Sequence, residues 1–249
     1  MRVEPVPETP AGVVETGNQR LLVVADYHAG IEAVLRTEGV ELDSRADQRR
    51  DRIRRLVSET DPDRLVVLGD LVHAIADLWE AERTELTALF DALHIPVTLV
   101  KGNHDAEIEE FLASINHDIT VTASTGKRFE TVGFVHGHTW PSPKVLGADI
   151  VCIGHEHPLV RLEDTVGGSR VERIWLRGTL DTTVFETHSN DYKPSRPDLV
   201  VFPAFNNISG GTHVNIAEQQ FLAPFLPEAL TDGDAYLLDG TRLGGYKRV

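Results

Sequence analysis

The sequence predicts an α/β fold built on two β-sheets, and three observations carry that prediction. Between Arg20 and Ser114, short β-branched runs alternate with amphipathic helical patterns three times, as βαβ units with parallel pairing do. After Ser114 the pattern changes to strands separated by short turns, which predicts a second sheet containing antiparallel segments. A chain of 249 residues with 41% hydrophobic content can bury one sizeable core, so residues 1–249 are expected to form a single domain.

The elements follow in order. "RLLVVAD" (20–26) is the first predicted strand, followed by the helical "HAGIEAVLRTEGV" and a long amphipathic segment from Ser44 to about Glu59, with Ile53, Leu56 and Val57 on one face. "DRLVVLGD" (63–70) is the second strand, after the turn signal "DPD". Residues 77–93 read as an amphipathic helix, "PVTLVKGN" (96–103) as the third strand, and "DAEIEEFLAS" as a helix whose first-turn acids suit the helix dipole. "DITVTA", "KRFETVGFVHG", "ADIVCIG", "PLVRLE", "RVERIWLRG" and "DLVVFPAF" are assigned to the second sheet. Residues 1–16 and 223–249 are loosely patterned, and the latter are expected to pack on the domain surface.

Composition narrows the function classes. No apolar run approaches the roughly 18 residues of a membrane span, and the N-terminus lacks a basic start and an apolar region, so a cytoplasmic protein is expected. Cys152 is the only cysteine, which excludes internal disulfides and a thiolate-based zinc site. Net charge is −15, and the sequence shows no basic stripe of the kind that nucleic-acid affinity draws on. The cationic cluster "RADQRRDRIRR" (45–55) alternates with acids and reads as a solvated helix face with internal ion pairs.

The strand ends carry the chemistry. Successive buried runs terminate in Asp26-Tyr27-His28, Gly69-Asp70, Gly102-Asn103-His104-Asp105, Val135-His136-Gly137-His138 and Gly154-His155-Glu156-His157. Any one of these residues is ordinary as a cap or turn former, but five strand ends sharing one chemistry are not. Carboxylate, amide and imidazole donors without thiolate suit Mn²⁺, Fe²⁺, Ni²⁺ or Zn²⁺. Asp26, His28, Asp70, Asn103, His136, His155 and His157 are too many for one ion and enough for two with a bridging carboxylate, an arrangement that activates water and clamps a phosphoryl group.

These fragments, in order, resemble the signature of the calcineurin-like metallophosphoesterases: D-x-H at Asp26 and His28, G-D at Asp70, "GNHD" at 102–105, then His136, then "GHEH" at 154–157. The resemblance implies a four-layer α/β/β/α sandwich with two mixed sheets, and two divalent ions, Mn²⁺ the first choice. One ion would sit on Asp26, His28, Asp70 and His157, the other on Asp70, Asn103, His136 and His155. His104, held by Asp105, would stabilise phosphoryl oxygens or protonate the leaving group. The implied activity is phosphodiester hydrolysis by a metal-activated hydroxide, with small-molecule or cyclic-nucleotide phosphodiesterase and phosphomonoesterase as alternatives. All seven ligand positions are filled, which disfavours a non-catalytic scaffold.

Further stretches are similar to an archaeal subfamily related to the nuclease subunit of double-strand-break repair complexes and to the ligase-associated bacterial phosphoesterases. They are "GDLVH", "LRGTLD" and "VVFPAFNNISGG" (200–211). That resemblance implies a nucleic-acid substrate and a helicase or ligase-pathway partner. It also offers His73, His138, Asn206 and Asn207 as substrate contacts, with Gly210 and Gly211 beside them.

Overall fold

The computed structural model describes residues 2–75, 77–164, 166–188 and 191–249. Among these residues six strands form the first sheet, in the order β1 (Val3–Pro5), β2 (Ala11–Glu15), β3 (Arg20–Ala25), β4 (Arg64–Leu68), β5 (Val97–Val100) and β6 (Ile119–Thr122). β3 to β6 run parallel, while β1 and β2 are antiparallel additions at one edge. Helices α1 (Ile31–Thr37), α2 (Ala46–Thr60), α3 (Glu80–Asp91) and α4 (Glu109–Ser114) connect the parallel strands.

The second sheet is also mixed. Its parallel centre is β8 (Val132–Val135), β9 (Ile150–Ile153) and β12 (Asp198–Val201). Antiparallel strands flank it: β7 (Lys127–Phe129) on one side, and β11 (Ser169–Leu180), β13 (Leu230–Leu237) and β14 (Arg242–Gly245) on the other, with β10 (Leu159–Glu163) paired to β11.

Strand alternation builds three cores. Leu21, Val23, Val66 and Leu68 face Phe134, Cys152, Trp175 and Phe202 between the two sheets. Leu22, Val24, Val67 and Leu99 point the other way, against Ile53 and Leu56 of α2 and Leu86, Leu89 and Phe90 of α3. Beneath the second sheet, Val151, Ile153, Leu176 and Val201 meet Val145 and Leu146 of α5 (Pro143–Leu146), Phe185 and Phe225. The result is the α/β/β/α sandwich, with a thin fourth layer of short helical turns and loop.

Two expectations are corrected. "DITVTA" does not enter the second sheet: its core, β6, pairs in parallel with β5 and completes the first. The loosely patterned N-terminal segment is ordered in the first sheet, and the C-terminal segment does more than cover the surface. Residues 3–15 form the β1–β2 hairpin, and β13 pairs with β11 along its length, with Ala223, Phe225 and Ala229 buried.

Candidate metal centre

Each residue of the centre stands at the C-terminal end of a parallel strand, where open α/β sheets place their sites. Asp26 and His28 follow β3, Asp70 follows β4, Asn103 follows β5, His136 follows β8, and His155 and His157 follow β9. Within the first sheet Asp26 N and His28 N donate to Gly69 O and Asp70 O at 3.2 and 2.9 Å. The sheets close on one another where Phe205 N and Asn206 N donate to Ala25 O and Asp26 O at 2.8 and 3.1 Å and His155 N donates to the Asp26 carboxylate at 3.2 Å. Asp26, His28, Asp70, His155 and His157 all adopt left-handed backbone, with φ of 56°, 50°, 50°, 67° and 43°. Such conformations cost on the order of 1 kcal/mol or more each and persist where the surroundings impose them, which is common at functional sites. The preceding glycines make room: a Cβ on Gly69 would collide with the His136 ring, and one on Gly102 with the Asp70 carboxylate.

The expected ligands form two adjoining donor groups, and a third set, His28, His73 and His104, shares His28 with the first. Asp26, His28 and His157 offer one set of atoms lying within 4.8 Å of each other, and Asp70, His136 and His155 another. Asn103 joins the second through Oδ1, 3.2 Å from His136 Nε2. Asp70 faces both: its Oδ1 is 3.3 Å from His136 Nε2 and its Oδ2 3.9 Å from His28 Nε2. The outer ring nitrogens are tied back, which aims the inner ones. His136 Nδ1 donates to Leu68 O at 2.7 Å, His157 Nδ1 lies 3.2 Å from Gly210 O, and His28 Nδ1 lies 3.2 Å from His73 Nδ1.

Electrostatics set the charge of the donors. Burial alone would raise the carboxyl pKa values of Asp26 and Asp70, yet His157 and His136 hold Asp26 low, and His136, with His28 and His104, holds Asp70 low. Two ionised carboxylates are therefore buried side by side, each held by an imidazole whose own pKa is raised, His157 on Asp26 and His136 on Asp70, so positive charge stands where divalent cations would. Burial lowers His28 to about 3 and His155 to about 4, leaving both imidazoles neutral at pH 7, as metal ligands must be. His136 is raised to about 9 against its burial, chiefly by Asp70. Oxygen and imidazole donors in two adjoining groups, with fully buried anions and no thiolate, fit two divalent ions.

The other expected residues separate. His104 presents Nε2 3.7 Å from Asp70 Oδ2, at the edge of the centre. Its Nδ1 is held by the carbonyl oxygen of His73, not by Asp105. The Asp105 carboxylate is fully buried and accepts from the amides of Gly102, Leu71 and Val72, at 2.8, 2.9 and 3.4 Å, so it braces two ligand loops. The His73 ring stacks on His104 and meets His28 edge-on. His138 lies beside His136 and His155, with a buried Nδ1 that has no partner among the described residues. Asn206 is buried and donates to the carbonyls of Tyr27 and His28, which makes it a loop brace, while Asn207 is exposed and accepts from Arg45. Glu156 points away from the centre and accepts from Thr212, Leu222 and Ala223.

Three supporting features escaped sequence reasoning. Ser209 Oγ lies 3.1 Å from His157 Nδ1. Glu82 accepts from the amides of His73, Ala74 and Trp79, fixing the loop that holds His104. Arg49 is buried between Glu32 and Glu85, and Glu85 also accepts from Gly30, just beyond His28. Acids at positions 82 and 85, in register with the apolar Leu86 and Leu89, were the available signal.

A family model described as calcineurin-like phosphoesterase matches residues 19–214, and the chain belongs to that family. It is a metal-dependent phosphoester hydrolase, of a family that binds a dinuclear divalent metal centre. Among solved structures it is similar to the nuclease MPE of Pseudomonas putida, at 20% identity and a TM-score of 0.60, over 97% of this chain and 100% of that one. It also matches YfcE, a phosphoesterase from E. coli, at 17% identity and a TM-score of 0.39, over 90% and 97% of the two chains. No curated protein matches by sequence.

Proposed function

We propose that the chain is a dinuclear phosphodiesterase whose specific form is a cytoplasmic nuclease. One ion would be held by Asp26, His28, Asp70 and His157, and the other by Asp70, Asn103, His136 and His155. The observation that carries this reading is the Asp70 carboxylate, buried and turned with one oxygen toward each donor group. When bound, the two ions supply Lewis acidity and bring the pKa of a water near neutrality. Mn²⁺ heads the candidates because the donors are carboxylate, amide and imidazole.

The chain's own residues orient and protonate. With Nδ1 hydrogen-bonded to the His73 carbonyl, His104 keeps Nε2 facing the centre, where it can hold a proton for the leaving oxygen. Asp105 and Glu82 keep that histidine's loop and its neighbour in place. The fold shared with a nuclease supports a nucleic-acid substrate, and the helicase or ligase pathway proposed as its setting rests on the sequence resemblance alone. A panel of single-stranded DNA, RNA, cyclic nucleotides and phosphomonoesters, assayed in Mn²⁺, tests the reading. Phosphodiesters are expected to be cleaved best, and a preference for phosphomonoesters would contradict it.

A further inference from the structure

Helix α2 carries more positive charge than its acids offset. Arg50 pairs with Asp47 and Asp51, Arg54 pairs with Asp51, and Arg49 is buried between Glu32 and Glu85. Arg52 and Arg55, with Arg45 at the helix start, have no ion-pair partner among the described residues. Arg45 and Arg52 lie about two turns apart on one face, roughly 10 Å along the axis, with Arg55 a turn further.

Arg45 and Arg52 reach the loop that follows β12, and Arg55 stands a turn beyond Arg52 on the exposed side of the helix. Arg45 Nη1 donates to Asn207 Oδ1 at 3.2 Å, and the Arg52 guanidinium lies 5.3 Å over the Phe205 ring. Arg173 of β11 donates from Nη1 to Ala204 O at 2.9 Å. Besides burial, Arg173 and Arg55 each disfavour the charge on Arg52, so the cations crowd one another. The same loop reaches the metal centre, because Asn206 bonds the carbonyls of Tyr27 and His28. Another arginine-bearing region, the cavity of about 670 Å³ at the start of β12, includes Asp198, Asp232 and Asp234, so its charge is offset locally.

Arginines crowded together with one neighbouring carboxylate, Glu172 beside Arg173, are unexpected in a chain with 39 acidic residues and a net charge of −15. An anion relieves their repulsion. A small monoanion would neutralise one of them, whereas a chain of phosphates can address several spread over roughly 15 Å of helix. We propose that Arg45, Arg52, Arg55 and Arg173 form a phosphate track that holds a nucleic-acid strand beside the metal centre, making the substrate a polynucleotide. This rests on the phosphodiesterase reading above and specifies its substrate class.

The test uses the metal-loaded enzyme with two substrates, a single-stranded thymidine 20-mer and bis(p-nitrophenyl) phosphate. In Arg45→Glu/Arg55→Glu, the ratio of kcat/KM for the oligonucleotide to that for the small diester should fall at least about ten-fold, through KM. The slope of log(kcat/KM) against log salt should become shallower by about 0.7 for each phosphate contact removed. Arg52→Gln/Arg173→Gln should lower the ratio in the same direction. Arg55→Glu alone, at an exposed position, gives the same reading if the double variants fail to fold. An unchanged ratio and salt slope would overturn the track, as would stronger competition by poly-glutamate than by a non-cleavable phosphorothioate oligonucleotide. A parent enzyme that hydrolyses only the small diester would overturn the track and leave the phosphodiesterase reading standing. Hydrolysis of neither would overturn both.

Discussion

His28 and His157, 129 positions apart in the sequence, turn their Nε2 atoms to within 3.3 Å of each other. His157 Nε2 also lies 3.2 Å from Asp26 Oδ1, so the two imidazoles and that carboxylate share one small volume. His155 instead packs its ring against His136, with centroids 4.8 Å apart. His28→Ala and His157→Ala should therefore lose the same ion first, and His155→Ala the other. Metal analysis during stepwise chelation checks this, and loss of one common ion from His155→Ala and His157→Ala contradicts the division.

His104 and Asp105 are adjacent in sequence and should behave oppositely. His104→Ala should lower kcat by about 10²–10⁴-fold with metal content still two per chain, whereas loss of metal would make it a ligand. Asp105→Ala removes the acceptor of buried backbone amides and should cost about 1–3 kcal/mol. Urea unfolding of the variants separates the two effects, and an Asp105→Ala protein of parental stability contradicts the bracing role.

Arg49 gives the third prediction. Its removal in Arg49→Met leaves the Glu32 and Glu85 carboxylates buried and unpaired, at a cost of about 3–5 kcal/mol near pH 7. Burial would raise Glu32, but the hydrogen bonds and charge of Arg49 outweigh it and hold Glu32 below its ordinary value. The stabilisation is therefore full above the unfolded Glu value of about 4.3 and is lost as pH falls through the lower folded one. In the variant only the backbone hydrogen bonds oppose burial, so Glu32 titrates higher than in the parent and acid costs the variant less. The stability gap between parent and variant should narrow from pH 7 to 3.5, and a constant gap contradicts this.

The strand ends were legible because each buried run stops on a metal-binding or turn-forming side chain, and parallel strands bring such ends to one edge. β6 was misassigned because a four-residue strand of mostly half-buried residues carries no signal of its partner's direction. β13 hid because Asp232, Gly233 and Asp234 interrupt its pattern. The family resemblance made Asp105 the partner of His104, whereas the amides of Leu71 and Val72 on the facing loop captured its carboxylate. In "RADQRRDRIRR" alternating charge suggested one solvated face, but three are present: Arg49 in a buried triad, Arg50 and Arg54 in ion pairs, and Arg45 at the helix start with Arg52 and Arg55 in no ion pair among the described residues.

Asp70 tests the central claim most directly, because its two oxygens address both donor groups. Asp70→Asn keeps the shape and removes the bridging charge. Hydrolysis of bis(p-nitrophenyl) phosphate in Mn²⁺ should fall to background while metal content drops below two per chain. Activity near the parent level with two ions retained would contradict the two-metal centre.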